Sequence, residues 1–255
     1  MKRSILIIAT AIIGMALVSC SISVDGETLG GETIKGNGNV AIREYNISEF
    51  NELSCDLPAT VNFTVADDFK RTVQVDENLL EYLDINVSNG ELWLAKSKEH
   101  KKVNLHATSF VIDVTAPSLS EISLVSSGDI NIVSPLNEKK LEVGVVGSGD
   151  IVFKEEVNID HLELLVTGSG DITVEKGLVA ELDANVIGSG DIVSKAEAQD
   201  VDINVTGSGD VTAKAKGTLD YHIIGSGDIR YYGDARVSGK IAGSGSFNQI
   251  DAPSR

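Results

Sequence analysis

Hydrophobic residues in the second half of the chain recur at every second position, in segments that each end at a glycine-rich tetrapeptide. The segment LEVGVV (141–146) has leucine or valine at alternate positions, and the tetrapeptide GSGD (147–150) follows it directly. Apolar residues alternate again after the tetrapeptide, at Ile151 and Phe153. Such alternation is typical of a strand with one buried face. Each segment is therefore predicted to form a strand of about seven residues, a corner and a shorter second strand.

The GSGD corner repeats at nearly constant spacing. Successive acidic positions are 21, 21, 20, 19 and 18 residues apart, and the end copies, SSGD (126–129) and GSGS (243–246), are degenerate. Atypical end copies are expected in a stacked array, because an end unit has a neighbour on one side only. Both corner glycines are predicted to adopt positive φ angles and to leave room between coils. The pattern predicts an all-β, parallel β-helix-like solenoid with 18–21 residues per coil; an antiparallel meander is the main alternative.

Stacking of the corners would place their aspartates in a column with a spacing of about 4.8 Å. Neighbouring carboxylates at that spacing repel by roughly 0.9 kcal/mol even in bulk water. Backbone N–H groups, solvent, raised pKa values or bound cations would each relieve this repulsion. A structural role is favoured, because one aspartate per corner falls short of the six to eight oxygens that Ca²⁺ prefers. The calcium candidates are Asp129, Asp150, Asp171, Asp191, Asp210 and Asp228.

A second acidic position lies five residues before each corner, on the face of the strand opposite to the apolar side chains. A solvated surface is the simplest interpretation, and binding of cations or sugar hydroxyls is the alternative. The position begins at Glu121, and the candidate column consists of Glu142, Glu163, Asp183, Asp202 and Asp220.

An Arg-Tyr-Tyr cluster near the C-terminal end departs from the plain repeat. It consists of Arg230, Tyr231, Tyr232 and Arg236. We interpret it as a cap of the solenoid, with an aromatic contact surface for glycans or protein as the alternative.

The upstream region, residues 36–118, has strand-like segments without a clear period. They are VNFTV (61–65), TVQV (72–75), LDINVS (83–88), ELWLAK (91–96) and FVIDVTAP (110–117). Residues 76–83 are predicted to form a short helical turn, and Asn89-Gly90 is predicted to close a hairpin before ELWL. This region is either a cap or the degenerate first coils of the solenoid, and residues 119–250 form the repeat solenoid.

The N-terminal residues have the layout of a secretory signal. Two basic residues are followed by an apolar run from Ile5 to Val18, which is shorter than the roughly 20 residues of a spanning helix. The sequence Leu17-Val18-Ser19-Cys20 is similar to a bacterial lipobox, which predicts cleavage after residue 19 and lipidation of Cys20. Residues 20–35 are predicted to be a flexible tether to a membrane, most simply the outer membrane.

Composition restricts the partners and the chemistry. Without residues 1–19 the chain carries a formal net charge of −19, which argues against nucleic-acid binding. Cys55 is the other cysteine, so no internal disulfide is expected, and it has no neighbouring basic group to activate it. The histidines have no metal-ligand spacing. We predict no catalytic residues and no cofactor other than the calcium alternative.

Several of these segments together resemble a known family. The lipobox, the GNGNV opening (36–40), DENLLEYLDINVSNGELWL (76–94) and the serial GSGDI corners are similar to the bacterial family named "putative auto-transporter adhesin, head GIN domain", over about residues 36–250. The resemblance implies a β-helix-type fold in secreted or lipid-anchored envelope proteins of Bacteroides-type bacteria. It supplies no catalytic residues.

The sequence therefore predicts a lipid-anchored protein of the cell envelope that acts as a non-catalytic adhesion or binding scaffold, with a glycan or protein ligand at the cell surface. Two alternatives are a carbohydrate-active enzyme acting on surface glycans and a purely structural or envelope-sensing protein. A cleft with convergent carboxylates and an Arg or Lys would favour the enzyme.

Overall fold

The computed structural model of the chain describes residues 31–251. The predicted signal peptide, Cys20 and most of the predicted tether lie outside the described residues. The strands of the N-terminal part are β1 (Thr33–Lys35), β2 (Val40–Asn46), β3 (Glu52–Cys55), β4 (Thr60–Val65), β5 (Lys70–Asp76), β6 (Leu83–Ser88), β7 (Glu91–Lys96), β8 (Asn104–His106) and β9 (Phe110–Ala116). Two 3₁₀ helices span Glu77–Tyr82 and Lys98–His100.

The repeat region consists entirely of strands and turns. Its strands are β10 (Glu121–Leu124), β11 (Asp129–Ile132), β12 (Leu136–Gly147), β13 (Ile151–Phe153), β14 (Val157–Gly168), β15 (Ile172–Val174), β16 (Gly177–Gly188), β17 (Ile192–Gly207), β18 (Val211–Gly225), β19 (Ile229–Tyr232), β20 (Arg236–Gly243) and β21 (Phe247–Gln249).

Successive repeats pair in parallel and in register, which confirms the solenoid and excludes the meander. The strands that precede the corners form one stack, from β10 through β12, β14, β16, β17 and β18 to β20. The strands that follow the corners form a second stack, from β11 through β13, β15, β17 and β18 to β19 and β21. We call these the long-strand stack and the short-strand stack, and one coil of the chain a rung.

The core lies between the stacks and is built from the alternating apolar positions. Leu141, Val143 and Val145 of β12 are at most 1% exposed, and the equivalent residues of β14 are fully buried. Because side chains alternate between the two faces of a strand, the residues between them point outward. Each apolar residue lies over its counterpart in the next rung, so stacking buries a face that a single coil leaves in water.

The upstream region is part of the same sheets. Strand β3 pairs in parallel with β10 on one side and with β7 on the other, and β4 lies likewise between β11 and β9. The region therefore contributes two rungs, stacked in an order that differs from their order along the chain. Antiparallel strands also cover the first of these rungs.

These covering strands close the N-terminal end of the solenoid. Strand β5 pairs antiparallel with β9, β2 pairs antiparallel with β5, and β6 pairs antiparallel with β7. Adding antiparallel strands ends the parallel stack and occupies strand edges that would otherwise be free to pair with another chain.

Three local predictions have clear outcomes. The hairpin is confirmed, because Asn89 and Gly90 join β6 to β7 with φ angles of 55° and 85°, as a two-residue type I′ turn requires. The helical turn is also present, as the first 3₁₀ helix. The end of the predicted tether is different: residues 33–35 form β1, which pairs in parallel with β8, so backbone hydrogen bonds fix a segment expected to be flexible.

Candidate functional site

The parallel register brings one acidic residue of each long strand into a continuous line on the outward face. We call this line the acidic column. Glu142 lies beside Glu163, which lies beside Asp183, and the line continues until Ser238 replaces the carboxylate in β20. Its members, in spatial order, are Glu91, Glu52, Glu121, Glu142, Glu163, Asp183, Asp202 and Asp220.

Glu52 and Glu91 extend the column beyond the residues that the repeat indicated. They come from β3 and β7, whose rungs have no GSGD corner to mark the position. Their place in the column follows from the pairing of β3 with both β7 and β10, which no periodicity in the sequence reveals.

Partial burial and neighbouring carboxylates raise the pKa values of several residues of the column. Burial, with the neighbouring charges of Glu52 and Glu121, raises the pKa of Glu91 to about 7. Burial is also the main cause of the raised pKa values of Glu121, Glu163 and Asp183, and neighbouring carboxylates in the column add to it. The ionised form of the column is therefore under electrostatic strain at neutral pH.

Among the described residues, basic groups form ion pairs with the column at two rungs, and His222 lies on the same face two residues after Asp220. Lys140 is paired with Glu142. His161 contacts Glu181 at 3.2 Å and Asp183 at 3.7 Å. Neither pairs with Glu163, although both partly offset its charge.

Glu163 is the most enclosed carboxylate of the column. The residue is 5% exposed, and its side chain has no hydrogen-bond or ion-pair partner within residues 31–251. The fully enclosed, unpartnered side-chain polar atoms of that range are Arg71 Nε and Ser194 Oγ. The Glu163 oxygens are not among them, so they still reach the surface. Glu163 is therefore a largely buried carboxylate that has no partner within residues 31–251 and remains accessible, and an unpartnered polar group of this kind is costly.

The column is bordered by a partly apolar strip on the same face. Leu165 and Val146 point outward from β14 and β12, yet they are only 5% and 7% exposed. Trp93, the single tryptophan of the chain, lies two residues beyond Glu91 and is 38% exposed. The face therefore combines a line of carboxylates with apolar and aromatic surface.

The corner aspartates have a different arrangement, in which each carboxylate supports the next rung. Asp171 Oδ1 accepts a hydrogen bond from the backbone N–H of Asp191 at 2.7 Å, and Asp191 Oδ1 accepts one from Asp210 at 2.7 Å. The same contact recurs from Asp129 to Ser246 with distances up to 3.3 Å. Backbone N–H groups thus stabilise the charges of the corner aspartates, and these carboxylates in turn accept the hydrogen bonds of the corner amides.

Only the first of the two corner glycines needs a left-handed backbone, which corrects our expectation for both. Gly168 has a φ angle of 128°, whereas Gly170 has no positive φ. A Cβ atom on Gly170 would lie 2.1 Å from the carbonyl oxygen of Gly149 in the preceding rung. The second glycine is therefore required by the close approach of successive rungs.

The Arg-Tyr-Tyr cluster does not form an exposed aromatic surface. Tyr231 and Tyr232 are 7% and 6% exposed, and the ring of Tyr231 stacks on Phe247 with centroids 5.1 Å apart. Arg230 pairs with Asp210 at 3.0 Å and with Asp228 at 3.4 Å, while Arg236 is exposed in β20. Tyr231 belongs to the core of the last rungs, where the small Ala213 beneath it leaves room, whereas Tyr232 is buried outside that core, beside Lys214.

The remaining features to consider are the Cys55 thiol, clusters of metal-binding side chains and helices that could cross a membrane. The Cys55 thiol is buried, and burial raises its pKa to about 12, which disfavours a reactive thiolate. Within residues 31–251, no three His, Cys, Asp or Glu side chains converge on a point where they could hold a metal ion. No helix of that range is both long and apolar enough to cross a membrane.

The fold is a parallel β-solenoid with one acidic outward face, and comparison with known proteins specifies the family. The chain belongs to the family described as "putative auto-transporter adhesin, head GIN domain", whose model matches residues 49–235. The search of curated proteins finds no match.

Solved structures have the same fold over most of the chain. A "putative adhesin" from Bacteroides fragilis is 25% identical, with a TM-score of 0.77 over 85% of this chain and 100% of its own. A "putative lipid binding protein" from Parabacteroides distasonis is 28% identical, with a TM-score of 0.75 over 86% of this chain and 100% of its own. A "putative adhesin" from Parabacteroides merdae, at 23% identity and a TM-score of 0.72 over 86% and 99% of the two chains, shares the fold.

Proposed function

We propose that this protein is a lipid-anchored, non-catalytic binding protein of the bacterial envelope, and that it contacts its ligand through the outward face of the long-strand stack. The family description and the adhesin relatives support a binding role. We choose this face as the binding surface because the acidic column is the longest uninterrupted line of one chemical group on the described surface. A neutral glycan or a protein with basic groups is complementary to it.

The carboxylates of this face are arranged in a line, and this favours binding over hydrolysis. A glycosidase places two carboxyl groups on either side of one sugar linkage, inside a cleft. Two depressions of the described surface lie elsewhere: one of about 270 Å³ is lined by Asp160, Glu197 and Lys216, and one of about 350 Å³ is near His106 and Thr108. In the first, both oxygens of Glu197 are engaged by Lys214 and Lys216 at 3.0 Å, so the carboxylates there are not a free acid and base pair.

The ligand-binding part of the proposal is tested with an array of glycans, extracellular-matrix proteins and lipid vesicles, probed with the mature chain. Two variants with equal changes of charge make the test specific. The column variant is Glu121→Gln/Glu142→Gln/Glu163→Gln. The off-column variant is Asp67→Asn/Glu156→Gln/Asp234→Asn, at exposed positions without ion pairs in the described chain.

Wild type and the off-column variant are expected to bind a common ligand, and the column variant is expected to bind it at least about 10-fold more weakly. Equal binding by both variants would move the binding face elsewhere. Shortening of the arrayed glycans, detected by mass spectrometry, would support the carbohydrate-active enzyme instead. Binding to the vesicles alone would favour the role suggested by the name of the Parabacteroides distasonis relative.

The lipid anchor is tested at Cys20. In a Bacteroides-type host, Cys20→Ala is expected to shift the protein from the membrane fraction to the soluble fraction, because the chain would lose its acyl chains. Immunoblots of the fractions measure this shift, and Cys55→Ala is the matched control that should stay with the membrane. Retention of the Cys20→Ala variant in the membrane fraction would contradict lipid anchoring.

A further inference from the structure

We propose that the acidic column binds divalent cations of the Ca²⁺ type, each held between the carboxylates of successive rungs and completed by water. Ca²⁺ accepts carboxylate oxygens at 2.3–2.6 Å, so two oxygens on one ion are up to about 5 Å apart. Successive strands are about 4.8 Å apart. Neighbouring carboxylates in the column therefore reach a shared ion with only a change of side-chain rotamer.

The unpartnered carboxylate of Glu163 is the observation that distinguishes this column from an ordinary acidic surface. A buried anion without a partner is costly, and its oxygens remain accessible. Lys140 is engaged with Glu142, and His161 is engaged with Glu181 and Asp183. A cation between Glu163 and Glu142 would supply the missing partner, and it would bind Glu142 through Oε2, because Lys140 contacts Oε1.

The corner aspartates are less suited to the same role. One oxygen of each carboxylate already accepts a backbone N–H of the next rung, and near the C-terminal end Arg230 pairs with the carboxylates of Asp210 and Asp228. The calcium-binding role that the repeat suggested for the corners is thus better assigned to the outward column.

The geometry also predicts the strength of binding. Two carboxylates per ion leave most of the coordination shell to water, because three acidic side chains do not converge at any point of the described range. Affinity is therefore expected in the range of extracellular calcium modules, with a dissociation constant of about 10⁻⁴–10⁻³ M. Protons compete for the same oxygens, so binding should weaken between pH 7.5 and pH 5.5.

The proposal is tested with the metal alone, so its outcome is independent of any adhesive ligand. Thermal unfolding of the mature chain is measured at pH 7.5 in 10 mM CaCl₂ and in NaCl of equal ionic strength. We expect CaCl₂ to raise the Tm by at least about 3 °C over NaCl. The off-column variant should keep this shift, and the column variant should lose most of it.

A second readout uses the single tryptophan. Tb³⁺ bound near Glu91 and Glu52 is expected to emit on excitation of Trp93, and Ca²⁺ is expected to reduce this emission by displacing Tb³⁺. If the column variant does not fold, the single variant Glu163→Gln replaces it. This variant is expected to show half or less of the wild-type increase in Tm. Equal Tm values of wild type in CaCl₂ and NaCl, or equal loss of the shift in both triple variants, would overturn the proposal.

Discussion

Replacement of Gly170 by alanine is expected to destabilise the fold by about 3 kcal/mol or more. The added Cβ would lie 2.1 Å from the carbonyl oxygen of Gly149 and 3.0 Å from Val145 Cγ1. The clashing oxygen belongs to the backbone, so no side-chain rotation relieves the contact. The rungs would have to separate at this corner, which would also lengthen the hydrogen bond that the N–H of Asp171 donates to Asp150 Oδ1 across the same two rungs. Urea unfolding followed by circular dichroism measures the loss.

Two matched substitutions separate this clash from other effects. Ser169→Ala changes an exposed residue of the same corner and should alter stability by less than about 0.5 kcal/mol. Gly38→Ala introduces a Cβ at a φ angle of 82° in open space, so it isolates backbone strain, at about 1–2 kcal/mol. A Gly170→Ala variant as stable as the Ser169→Ala variant would show that the rungs do not approach as closely as described.

Lowering the pH from 8 to about 5.5, without divalent cations, is expected to stabilise the protein. Glu91, with a pKa of about 7, and Glu121, Glu163 and Asp183, with raised pKa values, bind protons in the folded state before they do so in the unfolded chain. The folded state then holds more protons than the unfolded state, so the free energy of unfolding rises as the pH falls through this window. After allowance for solvent screening, we expect about 2 kcal/mol in total.

Stability should fall again below pH 4. Hydrogen bonds from Ser246 lower the pKa of Asp228, and hydrogen bonds from Lys216 and Lys214 lower the pKa of Glu197. Groups with lowered pKa values stabilise the fold only while they are ionised. Urea titrations at several pH values measure the whole profile, and the column variant, which keeps Glu91 and Asp183, should lose the part of the rise between pH 8 and 5.5 that Glu121 and Glu163 contribute. A rise of equal size in the column variant would mean that Glu121 and Glu163 do not contribute to it.

The repeat solenoid was predictable because each of its rungs carries its own signal. In LELLVTGSGDITV (162–174), the apolar alternation marks the buried face and the GSGD corner fixes the phase. Equal phase in successive copies leads directly to parallel, in-register pairing, and hence to the acidic column from Glu121 onwards. At each of these positions, the local sequence preference and the observed solenoid fold favour the same conformation.

The upstream rungs could not be predicted in the same way. The placement of β3 between β7 and β10 depends on contacts distant in sequence, and no local pattern distinguishes this order from consecutive stacking. Glu52 and Glu91 were missed for that reason. The position of Tyr231 was ambiguous for a different reason. An aromatic residue next to an arginine fits either a contact surface or a core, and only its pairing with the small Ala213 indicates the core.

The repeat therefore has two acidic positions with opposite roles. At the corner, Asp191 and its equivalents each accept a hydrogen bond from a backbone N–H of the next rung and so hold the rungs together. On the long strands, Glu163 and its neighbours have few hydrogen-bond donors, and burial raises the pKa of Glu163. One position per rung maintains the stack, and the other gives the envelope protein a linear anionic surface.

Anomalous diffraction from crystals of the mature chain soaked in Tb³⁺ tests the cation-binding column most directly. We expect anomalous peaks on the outward face of the long-strand stack, lying between the carboxylates of successive rungs and including the pair Glu142 and Glu163, and we expect Ca²⁺ to compete them away. Peaks confined to the corner aspartates, or the absence of any peak along Glu91 to Asp220, would contradict the proposal.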